Sequence, residues 1–481
     1  MYLGKSDYIQ TFGKISLGVS FAASCFLGYS FDTNPSHNEK PNIIFIMVDD
    51  LGWRDVGFMG SNYYETPNID KLSSQGMIFT NSYANAPNCA PTRACLMSGQ
   101  YSPRHGVYTV NNPDRGKSIN RKLIPIPNKT ILDSGFVTLA ETIRFAGYRT
   151  GMMGKWHLGE ENGTSPEEQG FDVNIGGCHQ GHPVTYFSPY KNKFFEDGPE
   201  GEYLTDRITD EAIKFIEESK NDPFFLYLPY HAVHTPIQPK PEVKKKYDGK
   251  PADGKQNNPA YAAMVETVDA GVGKIMNKLD ELKLTGNTIV IFFSDNGGVG
   301  GITDMSPLRG SKGMLYEGGI REPMIVRWPG KVSPGIHCDI PVIGVDFYPT
   351  FIKIAGIRKP SGLILDGKNI VPLFTGKNKF KKREIFWHFP AYLQATKRYL
   401  PGLIWRTTPV SVIRKGDWKL LEFFEDGHLE LYNLEEDIGE TNNLAAQMPG
   451  KAKNLHKKLL KWREKVNAPV PNELNPEYDP E

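Results

Sequence analysis

The sequence predicts an α/β fold: a large, mixed, mostly parallel sheet sandwiched by helices, with a small C-terminal α+β subdomain built on an antiparallel sheet. Three observations carry this. Continuous apolar runs end abruptly in polar clusters, helix-like stretches lie between those runs, and near residue 380 the pattern changes to short strand-like runs separated by turns.

Taken in order, Lys5 and Lys14 accompany a mostly apolar stretch, 15–31, with no charge until Asp32. Residues 1–31 read as an export signal, short for a membrane span, and a hydrophilic stretch follows. That places the protein in the periplasm or at the cell surface, with secretion as the lesser alternative. Cys25, behind Ala22-Ala23-Ser24, loosely matches a lipoprotein cleavage site; the other reading is a cysteine in a discarded signal. No later segment is apolar for long enough to span a membrane.

The run Asn42–Val48 (NIIFIMV) reads as a strand buried on both faces, ending in Asp49-Asp50. Residues 223–228 (PFFLYL) form a second such strand, ending before His231 and His234. Residues 288–293 (TIVIFF) form a third, ending in Ser294-Asp295-Asn296. Helix-like stretches fall at 137–146, 205–219 and 258–282. Polar clusters after buried strands are where an open α/β sheet places its ligands. Past the change, runs at 385–388, 410–414, 418–424 and 429–433 read as strands, with Gly416 and Asp426-Gly427 as turns, and about 451–465 as a closing amphipathic helix. The expected division is 41–379, 380–468 and an irregular tail, 469–481.

Charge is balanced, 56 basic against 55 acidic residues, which gives no footprint for a nucleic-acid partner. The run Lys244-Lys245-Lys246 reads as a solvated face. Five cysteines, one of them in the leader, do not make a disulfide framework.

The chemistry concentrates in CAPTRACLMSG, residues 89–99. Pro91 suits a first helical turn, which puts Cys89 at a helix N-terminus, where N–H groups and the helix dipole favour negative charge. With VDDLGW (48–53), GKWHLG (154–159), HTP (234–236), SDNGG (294–298) and RGSKGMLYEGGIREP (309–323), this string resembles the type I sulfatase family of the alkaline-phosphatase-like superfamily. The blocks occur in the family's order over about 41–444.

The resemblance implies that Cys89 is oxidised to Cα-formylglycine by a formylglycine-generating or sulfatase-maturating enzyme. The hydrated aldehyde is a gem-diol: one oxygen takes the sulfo group, and deprotonating the other expels sulfate, which a plain Ser or Cys could not do unaided. Asp49, Asp50, Asp295 and Asn296, with an oxygen of modified Cys89, form an all-oxygen set suited to Ca²⁺, with Mg²⁺ second. Lys155 and Lys312 are expected to hold sulfate oxygens, Arg93 to orient the formylglycine, His157 to take the proton from the free hydroxyl and His234 to protonate the leaving alcohol. His231 competes with His234, which the HTP pattern favours. The loop 176–182 is expected to face substrate through His179, against an ordinary surface loop.

Departures from the family pattern are Arg54, where a small residue is common, Ser311 in place of Gly, and Thr92 in place of Ser. Arg54 is expected either to reach substrate or to pair with a carboxylate. Trp387, His388, Phe389, Tyr392, Tyr399 and Trp405 offer either sugar-stacking faces or core packing. The run FWHFP (386–390) resembles bacterial carbohydrate sulfatases, which implies a sulfated glycan: an algal galactan or ulvan, or a host glycan. The alternatives are a phosphoester or phosphonate hydrolase of the same superfamily, and a non-catalytic sulfated-glycan-binding protein.

Overall fold

Strand β1 (Asn42–Val48) is buried along its whole length, and its side chains divide between two cores. Ile44, Ile46 and Val48 enter one, and Ile43, Phe45 and Met47 enter the other. This is period-two alternation with both faces covered, and it explains why the run is continuously apolar. Each such side chain contributes about 1.5–3 kcal/mol by leaving water.

A computed structural model describes residues 40–376, 380, 383–395, 400 and 402–479. The export segment, Cys25 and Tyr399 lie outside the described residues. After β1 come β2 (Met77–Tyr83), β3 (Arg149–Met153), β4 (Val173–Ile175), β5 (Phe224–Pro229), β6 (Thr288–Ser294), β7 (Arg321–Arg327), β8 (Ile336–Cys338) and β9 (Val342–Ile343). They form one sheet in the order β4-β3-β5-β1-β6-β7-β2-β8, with β9 also on β2. β1 pairs in parallel with both β5 and β6, in the register Met47↔Pro229 and Val48↔Ser294. β7 runs antiparallel to both of its neighbours, so the sheet is mixed but mostly parallel.

Helices cover both faces. Leu204–Glu218 and Pro259–Glu281 supply Ile208, Phe215, Val268 and Ile275 to the first core. Leu139–Phe145 and Phe347–Ile354 supply Ile143, Phe347 and Phe351 to the second. The long helix starts where expected: Asn258 caps it by accepting from the Tyr261 N–H at 3.2 Å.

The C-terminal sheet runs β10 (Glu384–Phe389), β13 (Val410–Lys415), β14 (Trp418–Phe423), β15 (Leu429–Asn433), antiparallel throughout. A two-stranded pair, β11 (Leu393–Gln394) and β12 (Trp405–Thr407), lies between β10 and β13 in the chain. Helix Pro449–Val466 packs Ala452, Leu455, Leu459, Trp462 and Val466 into the same core as Tyr83, Cys95 and Ile320. The tail is irregular but docked: the Ile124 N–H donates to the Glu473 carbonyl at 2.9 Å. Trp387, Phe389 and Tyr392 are core residues rather than exposed sugar platforms. Trp387 donates to the Ala84 carbonyl at 2.8 Å, and His388 is buried against Ser411 and the Pro469 carbonyl. Among the described residues no helix is long and apolar enough to cross a membrane.

Candidate active site

The carboxyl ends of β1, β5 and β6 and the segment after β3 meet at one edge of the sheet. β1 delivers Asp49 and Asp50, β6 delivers Asp295 and Asn296, β5 leads to His231 and His234, and β3 leads to Lys155 and His157. The helix Cys89–Ser98, with Asn88 as N-cap, begins over this edge, as the sequence predicts. Lys312 arrives from the long connection between β6 and β7.

These residues form two layers. The lower one is a buried charge cluster. Arg93 donates to Asp295 Oδ2 through Nε at 3.0 Å and Nη2 at 2.7 Å, and through Nη1 to the Lys155 carbonyl at 2.7 Å. Lys155 Nζ donates to Asp49 Oδ2 at 2.6 Å, and Lys312 Nζ donates to Asp50 Oδ1. Burial would raise the Asp50 pKa, but Lys312, His234 and Lys155 together hold it well below the ordinary carboxylate range. Asp295 is raised, by burial first and by Asp49 beside it, against the pull of Arg93.

Asp49 Oδ1, Asp50 Oδ2 and Asn296 Oδ1 are buried oxygens with no hydrogen-bond donor. Asp49, Cys89 and Asp295 each present a ligand atom within 4.8 Å of the others, the one such group among the described residues. Orphaned acceptor oxygens are costly to bury, and hard divalent cations take such ligands. The residues therefore fit a metal ion of the Ca²⁺ or Mg²⁺ type.

The upper layer lines an open pocket of about 300 Å³. Cys89, His157, His179, His234 and Lys312 face it. Cys89 Sγ lies 3.4 Å from His157 Nδ1, and burial raises the thiol's pKa. Burial, reinforced by Lys155 and Arg93, holds His157 well below its ordinary pKa. His234 is lowered to about 3, by burial first and then by Lys312. Its Nδ1 lies 2.7 Å from the Thr235 carbonyl, which can only accept, so Nδ1 carries the proton and Nε2 is left 3.5 Å from Asp50 Oδ2. His231 is buried beside the pocket without lining it.

His179 faces the pocket, with its ring 6.3 Å from that of His157, and its backbone N–H donates to Glu160 at 3.1 Å. Gly181 in the same loop permits this approach, since a Cβ there would lie 2.5 Å from His157 Cε1. The sequence reading passed over His182, which stacks on His234 at 6.0 Å and 7°, and Arg115 and Arg406, which also line the pocket. The GGCHQGH string held a signal for His182; nothing local marked the two arginines. Arg54 does not reach the pocket lining and pairs with Asp253 at 2.6 Å.

A buried carboxylate cluster under a cation-lined pocket, at the carboxyl edge of an α/β sheet, defines a hydrolase of anionic esters. The chain belongs to the sulfatase family: the family model described as Sulfatase matches residues 41–357. A second model, described as N-sulphoglucosamine sulphohydrolase, C-terminal, matches residues 311–465. A sulfatase of Formosa agariphila is 35% identical over 92% of this chain and 92% of its own. The N-acetylgalactosamine-6-sulfatase of Mus musculus is 33% identical over 73% of this chain and 69% of its own. The crystal structure of Ps i-CgsB in complex with k-i-k-neocarrahexaose superposes with a TM-score of 0.73 at 33% identity, covering 88% of this chain and 92% of that one. The protein is thus a sulfate ester hydrolase with the alkaline-phosphatase-like fold.

Proposed function

We propose that this sulfatase is exported and cleaves sulfate monoesters on a sulfated poly- or oligosaccharide, with Cys89, converted to formylglycine, as its reacting centre. The observation that carries the proposal is Cys89 itself. It opens a helix at the pocket floor, 3.4 Å from a histidine and above a buried carboxylate cluster. Its Sγ stands in for the oxygens that conversion to an aldehyde hydrate would place there. That hydrate supplies one hydroxyl to attack sulfur and a second whose deprotonation expels sulfate.

Asp49, Asp50, Asp295, Asn296 and the modified Cys89 side chain would hold Ca²⁺, which supplies charge stabilisation to the anionic oxygens around it. Among the described residues one group has metal-ligand spacing, Asp49, Cys89 and Asp295, which supports a one-metal sulfate site over a two-metal phosphoester site. Lys312 lines the pocket floor, Lys155 lies just beneath on Asp49, and both offset charge on the sulfate oxygens. Arg93 fixes Asp295 and the Lys155 backbone, and so orients the formylglycine's surroundings. His157, kept neutral, takes a proton at Nδ1 from the group at position 89. His234, whose free edge is Nε2, gives a proton to the leaving alcohol once a bound anionic ester counters the depressing charge of Lys312. His179 contacts the substrate from the side.

The glycan class draws on the relatives, whose names include an N-acetylgalactosamine-6-sulfatase and a structure bound to neocarrahexaose. Export draws on residues 1–31 alone.

The test is mass spectrometry of the Cys89 peptide from protein made in a host with a maturation system, together with sulfate release from a glycan panel. An aldehyde or its hydrate, and loss of release in Cys89→Ala, are expected. An unmodified thiol in an active enzyme would overturn the mechanism.

A further inference from the structure

Two arginines, Arg115 and Arg406, line the pocket besides Lys312 at its floor, and no aspartate or glutamate does among the described residues. Arg115 is half-buried and donates through Nη2 to the Val110 carbonyl. Burial lowers its basicity. A guanidinium offers five N–H groups and binds carboxylate and sulfate-like oxyanions through paired donors.

Both arginines are held in place. Arg121 Nη1 donates to the carbonyls of Asp114 at 2.6 Å and Gly116 at 2.9 Å, which fixes the loop on either side of Arg115. Gly116 packs on the Trp405 ring so closely that a Cβ there would lie 2.7 Å from two of its carbons. Trp405 in turn packs on Tyr392, with ring centroids 4.9 Å apart. Arg406 follows directly, its stem over Gly313, where a Cβ would lie 2.9 Å from Arg406 Cδ. Its Nη1 is within 3.5 Å of the Lys312 carbonyl. Two segments far apart in sequence thus bring Arg115 and Arg406 to the pocket that Lys312 also lines.

We propose that Arg115 and Arg406 form a second anion subsite, so that the preferred substrate carries another oxyanion, a sulfate ester or a carboxylate, on the sugar bearing the scissile sulfate or on its neighbour. The placement of the scissile group rests on the reading of Cys89 as the reacting centre. The subsite makes the enzyme selective for polyanionic sugars, because two guanidinium ions at the pocket wall attract a second negative charge more strongly than an uncharged group.

Calorimetric binding of galactose 6-sulfate, galactose 2,6-disulfate and a chondroitin 6-sulfate disaccharide to the full-length enzyme tests this at one fixed salt concentration. At least one dianion is expected to bind about tenfold more tightly than galactose 6-sulfate, and Arg115→Gln and Arg406→Gln should each cut that preference by about threefold or more. Whether the disulfate or the uronate-bearing sugar shows the preference identifies the second group. The preference is a ratio within one preparation, so partial misfolding of a variant lowers the binding-competent fraction for every ligand alike and leaves the ratio intact. Equal affinities in the wild type, or a preference unchanged in both variants, would overturn the subsite. Sulfate release is measured separately. A preference that depends on both arginines, without release by matured enzyme, sinks the Cys89 mechanism and keeps the subsite.

Discussion

Cys89 Sγ lies 3.4 Å from Nδ1 of a histidine, His157, whose own backbone is left-handed, with φ 64°. Such a conformation costs a non-glycine residue about 1–3 kcal/mol. It is held by the His157 N–H, which donates to the Cys178 carbonyl at 2.8 Å. The backbone after β3, and not side-chain packing alone, therefore aims the imidazole at position 89.

If His157 is the base that frees sulfate, His157→Ala should lower turnover by about 10²–10⁴-fold. Attack on sulfur does not require that proton transfer, so the variant should still release about one equivalent of alcohol before it stalls. Stopped-flow release of 4-nitrophenol from its sulfate, beside ion chromatography of free sulfate, separates the two steps. Matched alcohol and sulfate at a slow steady rate would assign His157 some other role.

Gly181 makes a sharper test of position. An added methyl must push the His157 ring, because the new Cβ would sit 2.5 Å from Cε1 and 2.6 Å from Nε2. A displacement near 1 Å can cost about 10²-fold in rate. Gly181→Ala should therefore lose most of its kcat while its unfolding temperature stays close to that of the wild type. An unimpaired kcat would mean that the ring's placement is not critical.

The three orphaned oxygens of Asp49, Asp50 and Asn296 predict a cation-dependent stability. Ligand at a hundredfold over its Kd stabilises by about 2.7 kcal/mol. Ca²⁺ should thus raise the unfolding temperature of chelator-treated enzyme by a few degrees, and Mg²⁺ by less. Asn296→Ala, which removes one of these oxygens, should need more Ca²⁺ for the same rise. Identical melting in Ca²⁺ and chelator would remove the metal from the site.

The sequence showed those parts of the molecule whose signal is local. β1, β5 and β6 are buried on both faces, so nothing polar interrupts them, and their ends at Val48, Pro229 and Ser294 mark the site. β7 escaped notice because it opens Arg-Glu-Pro. The polar atoms at its start are accommodated by tertiary contacts, with Arg321 donating to the Thr80 carbonyl through Nη2 at 2.6 Å. β3 is short, and its Gly151 lies against the Phe215 ring, an arrangement no periodicity reveals. The motif residues were likewise legible as blocks. Arg115 and Arg406 were not, because contacts between residues distant in sequence, such as Gly116 on Trp405 and the bridge of Asp114 to Tyr392, bring their segments together.

The join between the two sheets carries its own prediction. Lys419, fully buried on β14, bridges Glu317 at 2.9 Å and Glu440 at 2.8 Å. Glu317 lies in the RGSKGMLYEGGIREP block, between Lys312 and β7, so this ion cluster ties the C-terminal sheet to the segment that carries Lys312. Burial raises Glu440 from 4.5 to about 7, against the pull of Lys419 and with the push of Glu317. A raised folded-state pKa means that the folded protein binds a proton the unfolded chain has released. This contribution is fully present below the unfolded pKa of 4.5 and is lost as pH rises through about 7. Denaturant unfolding across that window should show stability falling as pH rises, and Glu440→Gln should flatten the slope. Lys419→Met should cost about 3–5 kcal/mol at neutral pH, because it strands two buried carboxylates, and less at the acidic end of the window, where Glu440 is protonated. A slope unchanged in Glu440→Gln would place the titrating group elsewhere.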